Sequence, residues 1–322
     1  MPRPLLCLLV LVACSARAGR AQTPAPRSFQ VATAPGVSIE VIDWGGRGRP
    51  LVFLAGGGHS AREFEDFAPL FAGEFRVLGI SRRGSGGSSD VPPERLDDLV
   101  GDVVAVLDSL RLGSAVLIGH SFAGTEMALF GEKHRDRCAG LVYLDAAYDY
   151  TDPEVERIFT ETPPPQAPPM RSADSASVDA VRAYYRRVSG FSVPESEIRA
   201  TNRFDAEGRL VGRAPSAVQR QMGALVRAPR WEAVDCPSAG IYAVPAPPET
   251  WLHYYGELDA AQREAAAAYY RAFSRWTAKH REAFGRGPRN RVVEFPGSNH
   301  YFFLEKPDEA KRIILDFLSG LP

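Results

Sequence analysis

Residues 116–126 read VLIGHSFAGTE, and both the fold and the chemistry of the chain turn on this stretch. Val116, Leu117 and Ile118 form a short apolar run that reads as a buried strand; Gly119 ends it, and residues 125–130 have helical character. Ser121 therefore stands on the corner between a strand and a helix. Two positions to either side are Gly119 and Ala123, small residues of the kind required where a sharp turn brings two backbones together. The pattern is a nucleophile elbow, G-x-S-x-G, with Ala123 in the place of the last glycine. Ser121 is the candidate nucleophile.

A serine hydroxyl is a poor nucleophile until a base takes its proton, so the sequence should also supply a histidine. There are six. His120 lies inside the elbow and is read as facing away from the chemistry, His134 and His280 fall in charged helical stretches, and His253 sits among aromatics. His300 differs from these. It follows the apolar run 292–295 through a Pro-Gly-Ser-Asn turn, which puts it on a loop at the edge of the sheet where Ser121 projects. His300 is the candidate base.

Outward from the elbow, residues 29–34 and 37–41 alternate well enough for a hairpin turning at Pro35-Gly36. Unalternated apolar runs follow at 51–55, 75–80, 115–118, 141–144, 241–244 and 292–295, the pattern of strands covered on both faces. Helical stretches fall between most of them: 61–71, with Ser60 and Glu63 in capping-box spacing, then 96–110 and 260–284. Alternating strand and helix imply an α/β domain with a mostly parallel central sheet of about eight strands. The alternation fails over 146–235. There Pro163-Pro164-Pro165 and Pro168-Pro169 stiffen the chain, and Val178, Val181, Tyr185 and Val188 recur at helical spacing, so this segment reads as a helical cap inserted after strand six. The expected division is 1–27 leader and linker, 28–145 and 236–322 the two parts of the core, and 146–235 the cap.

The chain has 322 residues, 45% of them hydrophobic, and a formal charge of −1; it can bury a large core and has no basic field to hold nucleic acid. Arg3 and the apolar run 5–13 form a leader too short to cross a bilayer as a helix. It offers an A-x-A cleavage site at Ala16-Arg17-Ala18 and, as an alternative, a lipobox ending at Cys14. Export is the expectation in either case, to the periplasm, to the medium or to a membrane through a lipid on Cys14. In the folded body only Cys138 and Cys236 remain, each just ahead of a strand-like run; parallel neighbouring strands would bring both thiols to one end of the sheet, where an oxidising compartment could join them.

From about Phe29 to its C-terminus the chain resembles the α/β-hydrolase fold superfamily, in its capped branch. Besides the elbow and Pro296-Gly297-Ser298-Asn299-His300, the resemblance rests on two loops. Leu54-Ala55-Gly56-Gly57-Gly58-His59 is similar to the family's oxyanion loop, with Ala55 where the family's histidine is usual. Ser81-Arg82-Arg83-Gly84-Ser85-Gly86-Gly87-Ser88 is similar to its D-x-R-G-x-G-x-S turn, with Ser81 in place of the aspartate; the Arg83 turn is read as structural. Acyl transfer builds a negative oxygen that preorganised backbone N–H groups stabilise, and position assigns these donors to Gly57 and Phe122. His59 is read either as a substrate contact or as the lead-in to the next helix.

Many relatives carry the triad acid after strand seven, but residues 241–249 hold no aspartate. A minority of the superfamily places it after strand six, and there stands Asp145. Asp145 is thus favoured to orient His300, with Glu249 second and Asp149 third. The resemblance implies a serine hydrolase acting on a small to medium apolar ester, with Tyr184, Tyr185, Phe191, Phe204 and Trp231 as candidates to line an apolar pocket. Amides, lactones, carbon–carbon bonds and short peptides are alternatives within the fold, and a non-catalytic binding protein is an alternative outside it. Epoxide hydrolases and dehalogenases of this architecture use a carboxylate nucleophile, against which Ser121 argues. The chemistry asks for no metal or organic cofactor; the expected partner is a small-molecule substrate.

Overall fold

The computed structural model describes residues 25–244 and 246–322, so the leader and Cys14 lie outside the described residues. The described residues form ten strands: β1 (Arg27–Ala34), β2 (Val37–Gly45), β3 (Pro50–Leu54), β4 (Arg76–Ile80), β5 (Ala115–His120), β6 (Cys138–Leu144), β7 (Asn202–Phe204), β8 (Leu210–Arg213), β9 (Ser238–Val244) and β10 (Asn290–Pro296). The α-helices are α1 (Leu96–Ser109), α2 (Ala123–Lys133), α3 (Pro153–Glu161), α4 (Val178–Ser189), α5 (Glu195–Thr201), α6 (Ala217–Gln221), α7 (Pro248–Trp251), α8 (Ala260–Gly285), α9 (Phe302–Glu305) and α10 (Pro307–Ser319).

Eight strands form one sheet in the order β1-β2-β4-β3-β5-β6-β9-β10, and β7 pairs with β8 as a separate hairpin. The hairpin β1–β2 joins the sheet antiparallel to β4, and every pairing from β4 onward is parallel. The chain order reverses between β4-β3 and β5. Helices then leave to opposite faces, and a crevice opens beyond the carboxyl ends of the strands, where open α/β sheets hold their ligands.

Two cores follow from two covered faces. On one, Val100, Val103 and Leu107 of α1, Met127 of α2, and Trp276 and Phe284 of α8 pack on the sheet. On the other, Phe64, Phe67 and Phe71 surround Phe53 at ring separations of 5.1–6.3 Å, beside Phe303 and Ile314. Such aromatic pairs contribute about 0.5–1.5 kcal/mol each beyond their buried area.

Local readings need three corrections. Residues 61–71 are two short 3₁₀ segments, Ala61–Phe64 and Ala68–Phe71. Ser60 caps the first by accepting from the Arg62 N–H, but Glu63 closes no box; its carboxylate turns inward to a buried imidazole and an amide instead. β10 is an edge strand, and Val292 is exposed rather than covered on both faces. His280, read as lying in a charged helical stretch, is on that helix but buried against Trp276.

Cys138 opens β6 and Cys236 lies just before β9, the parallel neighbour of β6. Their Cα atoms are 6.1 Å apart and the structure joins the sulfurs, closing a sequence separation of 98 residues.

Candidate active site

Ser121 sits at φ 52° on the corner between β5 and α2. A side chain rarely adopts this conformation, and holding one there costs about 1–3 kcal/mol. Several contacts enforce it. The Ser121 N–H donates to the Leu144 carbonyl at 3.3 Å, and the Gly124 N–H donates back to the Ser121 carbonyl at 2.9 Å. A Cβ at Gly124 would collide with the Ala146 carbonyl, and one at Gly119 with the Met127 sulfur. The small residues of the elbow are thus a packing requirement.

Asp145, at the end of the adjacent strand β6, also has positive φ, 46°. The turn points its carboxylate toward β9 and the loop after β10. Asp145 is 2% exposed, and its Oδ2 accepts from His300 Nδ1 at 2.7 Å. Oδ1 accepts from the Ala243 N–H at 3.1 Å and from the Tyr148 hydroxyl. With Nδ1 donating, His300 presents Nε2 as its free base. Ser121, Asp145 and His300 line one cavity of about 450 Å³. Glu249 is exposed on α7 and makes no hydrogen bond to His300 among the described residues; Asp149 accepts from its own turn, at Thr151.

On the other side of the elbow, a side chain added to Gly57 would meet Phe122 Cβ at 3.6 Å, so the two expected donors are neighbours. The flanking amides are already engaged: the Gly56 N–H donates to Glu63 Oε2 and the Gly58 N–H to Gln219 Oε1. Arg82 fixes the same loop from its carbonyl side, donating to Ala55 O at 2.9 Å and Gly56 O at 3.3 Å. Arg82 is itself held by a bidentate pair with Glu126 and stacks over the Phe122 ring at 5.0 Å. Arg83 is paired with Asp102, as a structural residue would be. The carboxylate missing at Ser81 comes from β2, where buried Glu40 accepts from the Ser81 hydroxyl and the Gly87 N–H. Nothing local to residues 81–88 signals this replacement.

His59 does not face the cavity. Its Nδ1 is 2.9 Å from Glu197 and its Nε2 3.1 Å from the Tyr301 hydroxyl. Burial opposes a charge on His59, but Glu63 and Glu197 outweigh it and raise its pKa. His120, read as facing away, instead packs against His300, with ring centroids 4.4 Å apart.

Of the five aromatics expected to line a pocket, only Phe191 does so. Tyr185 and Phe204 pack within a small cluster of the inserted segment, Tyr184 packs in a cluster that joins Val188 to Leu252, Tyr254, Leu258 and Ala266, and Trp231 belongs to the main core against Tyr143. The aromatic wall comes mainly from α8. Tyr269, Tyr270, Phe273 and Trp276 line the cavity, and Tyr148 stacks on Trp276 at 4.8 Å. Their i, i+4, i+7 spacing is a stripe that the sequence displays. Tyr150, also in the wall, reaches the Ser121 side chain; burial and the Asp145 charge push its pKa up, and the hydrogen bond with Ser121 opposes them. It remains protonated at neutral pH.

Several known proteins are similar to this chain. Epoxide hydrolase B of Mycobacterium tuberculosis is 36% identical over 106 residues, which are 32% of this chain and 30% of that protein. The bifunctional esterase/perhydrolase DCH of Acinetobacter calcoaceticus is 35% identical over 120 residues, 36% of this chain and 44% of that one. The chain thus spans less than half the length of these relatives. Among solved structures, E-2-(acetamidomethylene)succinate hydrolase superposes with a TM-score of 0.66 at 19% identity, over 92% of this chain and all of that one, a likeness of fold. The alpha/beta hydrolase family model matches residues 51–312, most of the chain, and with the sheet order and elbow described above this decides membership. The chain belongs to the alpha/beta hydrolase family.

Proposed function

We propose that the chain is a serine hydrolase that works through an acyl-enzyme on carboxylic esters of small to medium size with an apolar group. The observation that carries this reading is the joint placement of Ser121, in its strained corner conformation, and the His300–Asp145 pair around one cavity. In the proposed reaction His300 Nε2 takes the Ser121 proton as Oγ attacks the ester carbonyl, and the Gly57 and Phe122 N–H groups hold the resulting oxyanion. His300 then passes the proton to the departing alkoxide. Water, deprotonated by His300, releases the acid and restores Ser121. Asp145 keeps the imidazole in the right tautomer and balances its charge.

The cavity volume falls within the range of small-molecule sites, and its wall is chiefly aromatic and aliphatic. Val155, Phe159, Val188 and Phe191, all from the segment between β6 and β9, contribute to it, which supports reading residues 146–235 as a cap over the site. Export is part of the proposal, either by cleavage of the leader or by lipid on Cys14; the pairing of Cys138 with Cys236 supports it. Covalent labelling with a fluorophosphonate, followed by a panel of short- and long-chain acyl esters, amides and lactones, tests the reading. Folded wild-type protein should take up one adduct at Ser121, and Ser121→Ala none; folded wild type that takes up no adduct would identify a binding protein instead.

A further inference from the structure

His120 is fully buried one residue before Ser121, and both its ring nitrogens are engaged. Nδ1 lies 2.9 Å from Glu63 Oε1, and Nε2 lies 3.1 Å from the His300 carbonyl oxygen. Tyr301 and Phe303 enclose the ring, with centroids at 4.8 and 5.0 Å. A carbonyl oxygen only accepts, and so does an ionised carboxylate. A neutral imidazole carries a single N–H; in either tautomer it would direct a lone pair at an acceptor inside the protein, where the mismatch is costly.

Glu63 is ionised. Burial works to raise its pKa, but the charges of His120 and His59, the His120 hydrogen bond and the Gly56 N–H bring it to about 2. At His120 burial is the largest influence, and together with His300 and His59 it outweighs the upward pull of Glu63, so the net direction is downward. Against that direction stand the two facing acceptors, because a second ring proton satisfies both at once and neutralises the carboxylate. The remaining ionisable groups around the pair are accounted for: His59 is tied to Glu197 and to the Tyr301 hydroxyl, and Asp145 lies beyond His300.

We propose that His120 is a doubly protonated imidazolium, ion-paired with Glu63 beneath His300, and that it is a positioning residue for the proposed base. Its Nε2–H holds the His300 main chain, and its charge, nearer to His300 than the balancing carboxylate, disfavours a second proton on the His300 ring. The inference rests on the reading of His300 as the base, but the place of the proton on His120 does not.

Two measurements on the full chain test it. The first is ¹⁵N NMR of ring-labelled histidine, with His120→Asn to assign the signals. Both His120 nitrogens should show imidazolium shifts from about pH 5 to about pH 8, well above the ordinary histidine midpoint. Glu63→Gln should convert His120 to the neutral Nε2–H tautomer, since the glutamine amide donates to Nδ1 and the bond to His300 survives. A lone-pair nitrogen on His120 in the wild-type protein overturns the proposal, whatever the enzyme does. The second is the rate of Ser121 labelling by a fluorophosphonate against pH. In Glu63→Gln the acid midpoint should rise, because a like charge has left the neighbourhood of His300. A midpoint that stays in place overturns the electrostatic role. A folded wild-type protein that never labels would overturn the hydrolase reading instead, and the NMR result would still decide the proton's location.

Discussion

His300 Nδ1 lies 2.7 Å from Asp145 Oδ2, although 155 positions separate the two residues in sequence. Asp145 arrives from the end of β6, His300 from the loop after β10, and β9 runs between them. A carboxylate only has to reach the ring, so the strand that delivers it is free to vary.

Asp145→Asn should therefore cost about 10³–10⁴-fold in kcat, the scale seen when a triad imidazole loses its orienting acid. Glu249→Ala should leave activity within about twofold, as an exposed side chain without a partner at the site. Steady-state kinetics on any ester that the panel identifies checks both. Full activity in Asp145→Asn would sink the assignment.

Tyr150→Phe removes a hydroxyl beside Ser121 and leaves the aromatic wall in place. Losing one neutral hydrogen bond of about 1 kcal/mol predicts roughly a fivefold fall in kcat/KM. Ser121 should still label covalently, since the proton acceptor is untouched.

The Glu63 pKa, held at about 2 against an ordinary 4.5, makes a prediction about acid stability. A depressed carboxyl stabilises the fold fully above its unfolded pKa, and that contribution is lost as pH falls from 4.5 toward 2. In thermal melts the difference in Tm between the wild type and Glu63→Gln should be largest near neutral pH and shrink across this window. A difference that grows on acidification would show that Glu63 is not ionised in the fold.

Joining Cys138 to Cys236 closes a loop of nearly a hundred residues, for which the chain-entropy argument gives about 2–4 kcal/mol of stabilisation in practice. Reductant, or a Cys138→Ser/Cys236→Ser double substitution, should lower Tm by several degrees. Peptide mapping of non-reduced, exported protein should find the linked pair; two alkylatable thiols would refute it.

Phe273→Ala enlarges the cavity on its α8 side without touching the polar groups. It should raise KM for esters with aromatic or branched groups by about tenfold and change kcat much less, as expected when binding shared by ground and transition states is lost.

The elements of the core were legible because each strand is a short apolar run bounded by turn residues, and the elbow announces itself by Gly119, Ser121 and Ala123 together. Cys138 and Cys236 were legible through their shared position ahead of two parallel strands. The cavity wall is less legible: Tyr185 and Phe204 of the inserted segment serve its own packing, Tyr184 packs against residues after β9, and Tyr269, Phe273 and Trp276 on α8 line the cavity instead; periodicity marks a face as covered and does not say whether protein or ligand covers it. Glu40, Glu63 and His120 were invisible for another reason. Their partners lie 41, 57 and 180 positions away, and no local pattern encodes such a pairing.

With Asp145 on β6 as the proposed acid, the described residues after β9 are left free of that duty. There Trp251, Leu252 and Tyr254 wall the cavity, and the Tyr254 hydroxyl donates to the Pro165 carbonyl. Selection, natural or in the laboratory, can rewrite 246–258 to suit new molecules while the proton-handling machinery stays intact, a division of labour unavailable to any protein whose triad acid sits on that very loop.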